Sequence, residues 1–303
     1  MMNQTSIISD LILWIEKNLE QPLSIDHVAD KSGYSKWHLQ RMFKKVTGQI
    51  LGTYIRNRRL THAAVALKLT SKPILDIAMQ YRFDSQQTFT RSFKKQFSDT
   101  PATYRRNTLW DLEGIMPPIV LNRTRFMLPE PSFVNFPEKV FWGITYRNNC
   151  SLNQLIQNNA VFRKQFFTDY LAKYFKNHKM LPDRIYTFMR THSDKDHIDE
   201  QQIFYTIGLE DNSIVDNIHK YVNQGGLYIC FKYVGIPSGF SDFMSQVYFS
   251  ALPRLNIKIR AGDVIEIHYD HSNLTASSIV SEIPLMECDY CVPIIMKDDA
   301  GCL

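Results

Sequence analysis

A chain of 303 residues with 44% hydrophobic and 21% charged residues has the make-up of a globular protein of about two domains, which excludes a largely disordered or fibrous chain. Its net charge of +5 is unevenly spread: residues 1–120 carry 17 Lys+Arg against 10 Asp+Glu, a charge of +7, and residues 121–303 carry 18 against 20. The longest apolar stretches are broken by charges such as Lys232, and no basic segment precedes an apolar run at the N-terminus, so neither a membrane span nor secretion is expected; five scattered cysteines suit reduced thiols in a cytoplasm.

Along the chain, Ile7 to Leu19 places apolar residues at helical spacing and stops at Gln21-Pro22-Leu23. Ser24 reads as the N-cap of a short helix, Ile25 to Lys31, whose first turn holds Asp26. Ser32-Gly33-Tyr34 is a tight turn, and Ser35 caps the next helix, Lys36-Trp37-His38-Leu39-Gln40-Arg41-Met42-Phe43-Lys44-Lys45. Helix, glycine turn and polar-faced second helix make a helix-turn-helix. Thr53 to Leu69 is a longer helix carrying Arg56, Arg58 and Arg59. Pro73 then opens Ile74 to Gln80, and Asp84-Ser85 caps Gln86-Gln87-Thr88-Phe89-Thr90-Arg91-Ser92-Phe93-Lys94-Lys95.

That second polar helix repeats the first at an offset of 50: Ser35, Arg41, Phe43, Lys44 and Lys45 recur as Ser85, Arg91, Phe93, Lys94 and Lys95, and Asp26 recurs as Asp76. Leu39 with Phe43, and Phe89 with Phe93 and Phe97, form buried stripes. The opposite faces put Trp37, Gln40 and Arg41 together, and Gln87 with Arg91. Arg forks onto guanine edges and Gln onto adenine edges, while lysines suit phosphates. The expected contacts to double-stranded DNA are therefore Lys36, Trp37, Gln40, Arg41 and Lys45 from the first copy, and Gln86, Gln87, Thr88 and Arg91 from the second. A stiff bridging helix would let one chain read two major-groove segments about 34 Å apart as a monomer.

Ser35 to Lys44, Asp76-Ile77-Ala78, Phe83 to Arg91 and Pro101-Ala102-Thr103-Tyr104-Arg105 resemble the DNA-binding domain of the AraC/XylS family of bacterial transcription activators, in the subgroup of MarA, SoxS and Rob. Arg82 departs from that family, which usually has Gly there; a positive φ at a non-glycine residue would cost about 1 kcal/mol. The added length beyond this domain matches the Rob branch, which carries a second domain. The resemblance implies an activator that recruits RNA polymerase at promoters for efflux, antibiotic tolerance and oxidative stress, in the cytoplasm on the nucleoid.

The expected division is an all-α double helix-turn-helix domain over 1–107, a linker over 108–120 ending in Pro117-Pro118, and an α+β domain over 121–303. In the last, Lys139 to Arg147 alternates as a strand and Leu152 to Phe175 reads as a long helix, with strands at Ile185 to Arg190 and Gln202 to Glu210. The order then recurs as strand Gly226 to Val234, helix Phe240 to Leu255, and strands Val264 to Tyr269 and Tyr290 to Ile295. Tandem strand-helix-strand-strand units, with helices on one sheet face and a groove on the other, resemble the GyrI-like effector-binding domain.

Such domains resemble one another in placing a glutamate in an aromatic groove for amphipathic or cationic ligands. Alternation assigns Ile265, Ile267 and Tyr269 to the helix-covered face and Glu266 with His268 to the groove. Glu266 reads equally as an exposed strand carboxylate. Trp142 and Tyr228 are further groove candidates, though Trp142 shares parity with Val140 and Ile144 and reads more strongly as core. Cys288-Asp289-Tyr290-Cys291 has metal-ligand spacing without a second pair, and its thiols would face opposite ways in a strand, so neither a metal nor a cofactor is expected. No nucleophile elbow or phosphate-cradling loop is present. The chain is thus read as a ligand-modulated DNA-binding activator and not an enzyme; the alternatives are a GyrI-domain hydrolase fused to a DNA-binding domain, and an architectural or origin-binding DNA protein.

Overall fold

The computed structural model describes residues 4–121, 128–151, 161–162, 165–171, 176, 182–194, 196–210, 218–269 and 286–299. They fall into a helical unit and a sheet unit. Residues 108–111 cluster with the sheet unit and 112–121 with the helical unit. Among the described residues, no helix is long and apolar enough to cross a membrane.

The helical unit contains α1 (Gln4–Lys17), α2 (Ile25–Ser32), α3 (Lys36–Thr47), α4 (Leu51–Leu69), α5 (Ile74–Gln80), α6 (Gln86–Phe97) and α7 (Pro101–Arg106). The expected caps set these boundaries. Ser24, Ser35 and Ser85 each lie in extended backbone and accept from the amide three residues on, satisfying a donor that the first turn would otherwise leave open. The repeat extends to the other ends, where Gly48 (φ 76°) and Ser98 (φ 59°) are left-handed C-caps donating to Lys44 O and Lys94 O.

Ile8, Leu11, Ile12 and Ile15 of α1 pack against Leu39, Met42 and Phe43 of α3 and Tyr54 of α4. Around α6 the core is an aromatic ladder of Phe83, Phe89, Phe93, Phe97 and Tyr104, with neighbouring centroids 4.4–5.5 Å apart. Burying each such ring contributes about 1.5–3 kcal/mol. The basic group of α4 divides in a way the sequence does not announce, and only Arg56 is exposed. Arg58 is buried and bonded to Glu16 by its Nε (2.9 Å) and its terminal nitrogen (2.8 Å). Arg59 donates to Leu19 O and Gln21 O, closing the end of α1.

Arg82 does adopt a positive φ, 62°. Its amide donates to Met79 O and its Nε to Glu20 O at 2.6 Å. These bonds offset the cost of a left-handed non-glycine residue.

The sheet unit contains β1 (Ser132–Phe136), β2 (Lys139–Ser151), β3 (Arg184–Ser193), β4 (Glu200–Leu209), β5 (His219–Asn223), β6 (Gly226–Gly235), α8 (Phe240–Gln246), β7 (Ile257–Ile259), β8 (Val264–Tyr269) and β9 (Met286–Met296). Most of the expected helix 152–175 lies outside the described residues. β1, β5 and β7 were not anticipated, being short and without clear alternation. Strand order is β1-β6-β9-β8-β3-β4-β2-β5, every pairing antiparallel.

This order is palindromic about the β8–β3 pair, as expected for two strand-helix-strand-strand units. Its ends are exchanged. β1, which precedes the first unit, pairs with β6 of the second, and β5, which precedes the second, pairs with β2 of the first. The reciprocal exchange ties the repeats together through main-chain bonds and covers two sheet edges that would otherwise be open.

Candidate nucleic-acid interface and ligand groove

All five residues expected to meet DNA from α3, namely Lys36, Trp37, Gln40, Arg41 and Lys45, are exposed, as are Gln86, Gln87, Thr88 and Arg91 on α6. Trp37 is 68% exposed, an apolar area that a helix held only for packing would have turned inward. The Arg41 guanidinium lies 5.3 Å from the Trp37 ring centre, a cation–π contact between two exposed side chains of the same stripe. Lys36 pairs with Asp26 across α2 and α3, and the Thr88 hydroxyl accepts from Ser85 Oγ at 3.1 Å.

In the sheet unit the two faces separate cleanly by register. Ile185, Met189, Ile203, Tyr205 and Ile207 form one cluster with Phe166 and Leu171 from the helix that follows β2. Phe141, Tyr186, Phe188, Tyr228, Ile265 and Ile267 form the other. Thr187 pairs with Glu266, Ile185 with His268 and Tyr290 with Glu266, and Tyr290 packs edge-on against Phe240 and Phe243 of α8. Glu266 and His268 therefore lie on the helix-covered face, the reverse of the expected assignment. Both are buried: Glu266 Oε2 accepts from the Tyr205 hydroxyl at 3.0 Å and lies 3.1 Å from His268 Nε2. Alternation separates the faces but not which of them meets the helices, and here both faces carry buried residues.

Opposite that face lies a groove of about 320 Å3, within the range of small-molecule sites. Val134, Ile265 and Ile267 contribute its apolar surface, and Phe136, Phe141, Tyr186 and Tyr269 its aromatic surface. Two glycines permit this arrangement. Tyr186, Gly208 and Gly143 lie side by side on β3, β4 and β2, and a Cβ on Gly143 would fall 2.0 Å from Ile207 O. With no side chains between them, Phe141 reaches Tyr186 at a centroid distance of 4.7 Å.

Charges of both signs stand in the lining. Lys139 Nζ is 2.7 Å from Glu210 Oε2, and the Tyr186 hydroxyl donates to Glu210 Oε1 at 2.5 Å. Burial alone would raise the Glu210 carboxyl, but the bonds from Lys139 and Tyr186 outweigh it and hold it below the usual range. The Tyr269 hydroxyl donates to Asp289 Oδ2 at 2.7 Å. Burial, then these carboxylates, raises both phenols, which therefore remain donors at neutral pH.

Of the ligand candidates named from sequence, Tyr228 joins the groove-face cluster beneath the Arg260 guanidinium. Trp142 has the opposite parity to Phe141 and shares that of Ile144 and Tyr146, which pack toward the helices. Tyr186, Asp289 and Glu210 were missed; Tyr186 is an aromatic in phase with Phe188 along β3, whereas Asp289 within β9 and Glu210 just after β4 are acidic residues with no local pattern to mark them. The expectation of reduced thiols also fails at one pair. Cys230 and Cys291 are bonded across β6 and β9, a pairing that strand register alone reveals.

A helix-turn-helix domain model matches residues 28–107 and the GyrI-like small molecule binding domain model matches 129–294. The transcriptional regulator Rob of Salmonella typhimurium and the right origin-binding protein of Escherichia coli are each 45% identical over 297 residues, covering 97% of this chain and 99% of theirs. The chain belongs to the Rob branch of the AraC-type transcription regulators. The regulatory protein SoxS of Escherichia coli is 60% identical over 104 residues, 34% of this chain and 97% of SoxS, so the likeness of SoxS to this Rob-branch chain lies in about a third of it. This regulator family, with its DNA-binding and small-molecule-binding domains, points away from catalysis.

Proposed function

We propose that the chain activates transcription as a monomer, reading promoter DNA with α3 and α6, recruiting RNA polymerase, and responding to amphipathic small molecules held in the groove beside Tyr186, Tyr269 and Asp289. The carrying observation is the duplicated exposed stripe, Trp37-Gln40-Arg41 and Gln87-Arg91, on two helices that share a serine N-cap, a left-handed C-cap and an apolar buried face. An activator of this kind works beside its DNA, in the cytoplasm, at promoters for stress and drug tolerance.

Lysine and arginine play separable parts in this reading. Lys45→Ala is expected to weaken matched and random duplexes alike and to lower the slope of log K against log salt by about 1. Fluorescence anisotropy across a salt series measures both. A loss confined to one sequence would assign Lys45 to base reading instead.

The ligand half is tested by calorimetric titration of the full chain with bile-salt-like, fatty-acid-like and cationic amphiphiles. Asp289→Asn removes a negative charge from the lining, so cation affinity is expected to fall about tenfold, some 1.4 kcal/mol, with anions unaffected or improved. Glu266→Gln, on the far face, is expected to leave both unchanged. Equal losses in the two variants would place the ligand under the helices and not in this groove.

A further inference from the structure

Cys230 and Cys291 stand directly opposite each other on β6 and β9 and are joined by a disulfide. Both line the groove. They occupy the centre of one lateral row, Ser132, Cys230, Cys291, Ile265 and Phe188, that crosses β1, β6, β9, β8 and β3 in register. Every member of that row lines the groove. Cys150 and Cys288 lie elsewhere, buried on the helix-covered face, the first among Phe166 and Leu171 and the second opposite His268.

A disulfide in a protein that works on cytoplasmic DNA meets a reducing thiol pool, and disulfides that form there are characteristically transient and redox-sensing. We propose that Cys230 and Cys291 are an oxidant-modified pair set in the groove, with small peroxides as the reactant class. The groove gives a small oxidant a path to sulfurs that bulk solvent barely reaches, and Cys230 at 6% exposure is more open than Cys291 at 0%. Cys230 sulfur attacks the O–O bond of hydrogen peroxide, giving a sulfenic acid and one water, or an alcohol in place of water from an organic peroxide. Cys291 sulfur then attacks that sulfenic sulfur, the S–S bond forms, and hydroxide leaves with the released proton as a second water. Two electrons pass from the thiols to one peroxide molecule, and a cellular dithiol returns them. Bond formation draws β6 and β9 together at the centre of the row and replaces two weak S–H donors with an apolar bridge, so ligand affinity changes with redox state.

The chemical step is independent of the groove reading; its consequence for affinity rests on it. The test begins with the full chain reduced by dithiothreitol, then treated with stepwise hydrogen peroxide, with cysteines mapped by differential alkylation and mass spectrometry. The Cys230–Cys291 link is expected before oxidation of Cys150 or Cys288, and dithiothreitol reverses it in the folded protein. Earlier oxidation at Cys150 or Cys288, or a link that reverses only in denaturant, overturns the proposal. In Cys291→Ala the Cys230 sulfenic acid, left without its partner, is trapped by dimedone; no adduct there overturns the assignment of Cys230 as the attacking thiol. Titration of both redox forms with dodecyltrimethylammonium below its micelle concentration reads the consequence, with at least a threefold difference in Kd expected. Equal binding by both forms overturns the coupling, whereas binding by neither refutes the groove reading while the peptide map still decides the pair.

Discussion

Glu16→Ala is expected to destabilise the helical unit by about 3–5 kcal/mol, the cost of leaving a buried charge without its partner. The Arg58 guanidinium is buried between α1 and α4, and Glu16 receives its Nε and a terminal nitrogen together with the Tyr54 hydroxyl at 2.6 Å. Arg58 also donates to Met116 O, so one ion pair joins α1, α4 and the segment after α7. Truncation at Glu16 strands the cation, whereas Glu16→Leu with Arg58→Met removes both charges and is expected to recover most of the loss. Hydrogen exchange of the α1 and α4 amides reads this unit by itself, which a single melting curve of a two-unit chain does not. A loss below about 1 kcal/mol would mean that water reaches the pair. Burial would raise the Glu16 carboxyl, but the Arg58 bond and charge, aided by Tyr54, bring it below its ordinary value. With a lowered folded value, the pair's contribution is full above the ordinary carboxylate range and disappears as pH falls through the Glu16 value. His62, half-buried beside the pair, is pushed down to about 4 by burial and then by Arg58. The unfolded chain therefore takes up its proton first, and stability also declines as pH falls from about 6.5 toward 4.

Arg41→Ala is expected to cost about 1–3 kcal/mol on a selected site and to relax preference at one base pair, with little change on random duplex. Its fork is exposed and stacked near Trp37, so no internal bond must break before it meets a base edge. Competition anisotropy against single-base variants of the site measures the cost and its position. Equal weakening on every duplex would assign Arg41 to phosphate. Trp37→Ala, which keeps the charge but removes the ring beneath it, is expected to produce a smaller loss at the same base pair through reduced preorganisation.

The helical unit was legible almost residue by residue because its signals are local. A serine at the start of α2, α3 and α6, an apolar residue every three or four positions, and a glycine after α2 and α3 specify helices whose main-chain bonds close within four residues. The 50-residue offset then identified both exposed stripes before any packing was known. Even here the surface reading of α4 was incomplete. Nothing local separates Arg58, whose partner Glu16 is 42 residues away, from exposed Arg56.

For the sheet unit, alternation by itself established that Glu266 and His268 face one way and Ile265, Ile267 and Tyr269 the other, along with the tandem order of elements. Three features were decided by tertiary structure: which face meets the helices, the exchange of β1 and β5, and the meeting of Cys230 with Cys291 from 61 positions away. The period of a strand states only that neighbours point oppositely. What each face touches depends on strands and helices distant in sequence, and it is settled when the sheet curls and the partners arrive.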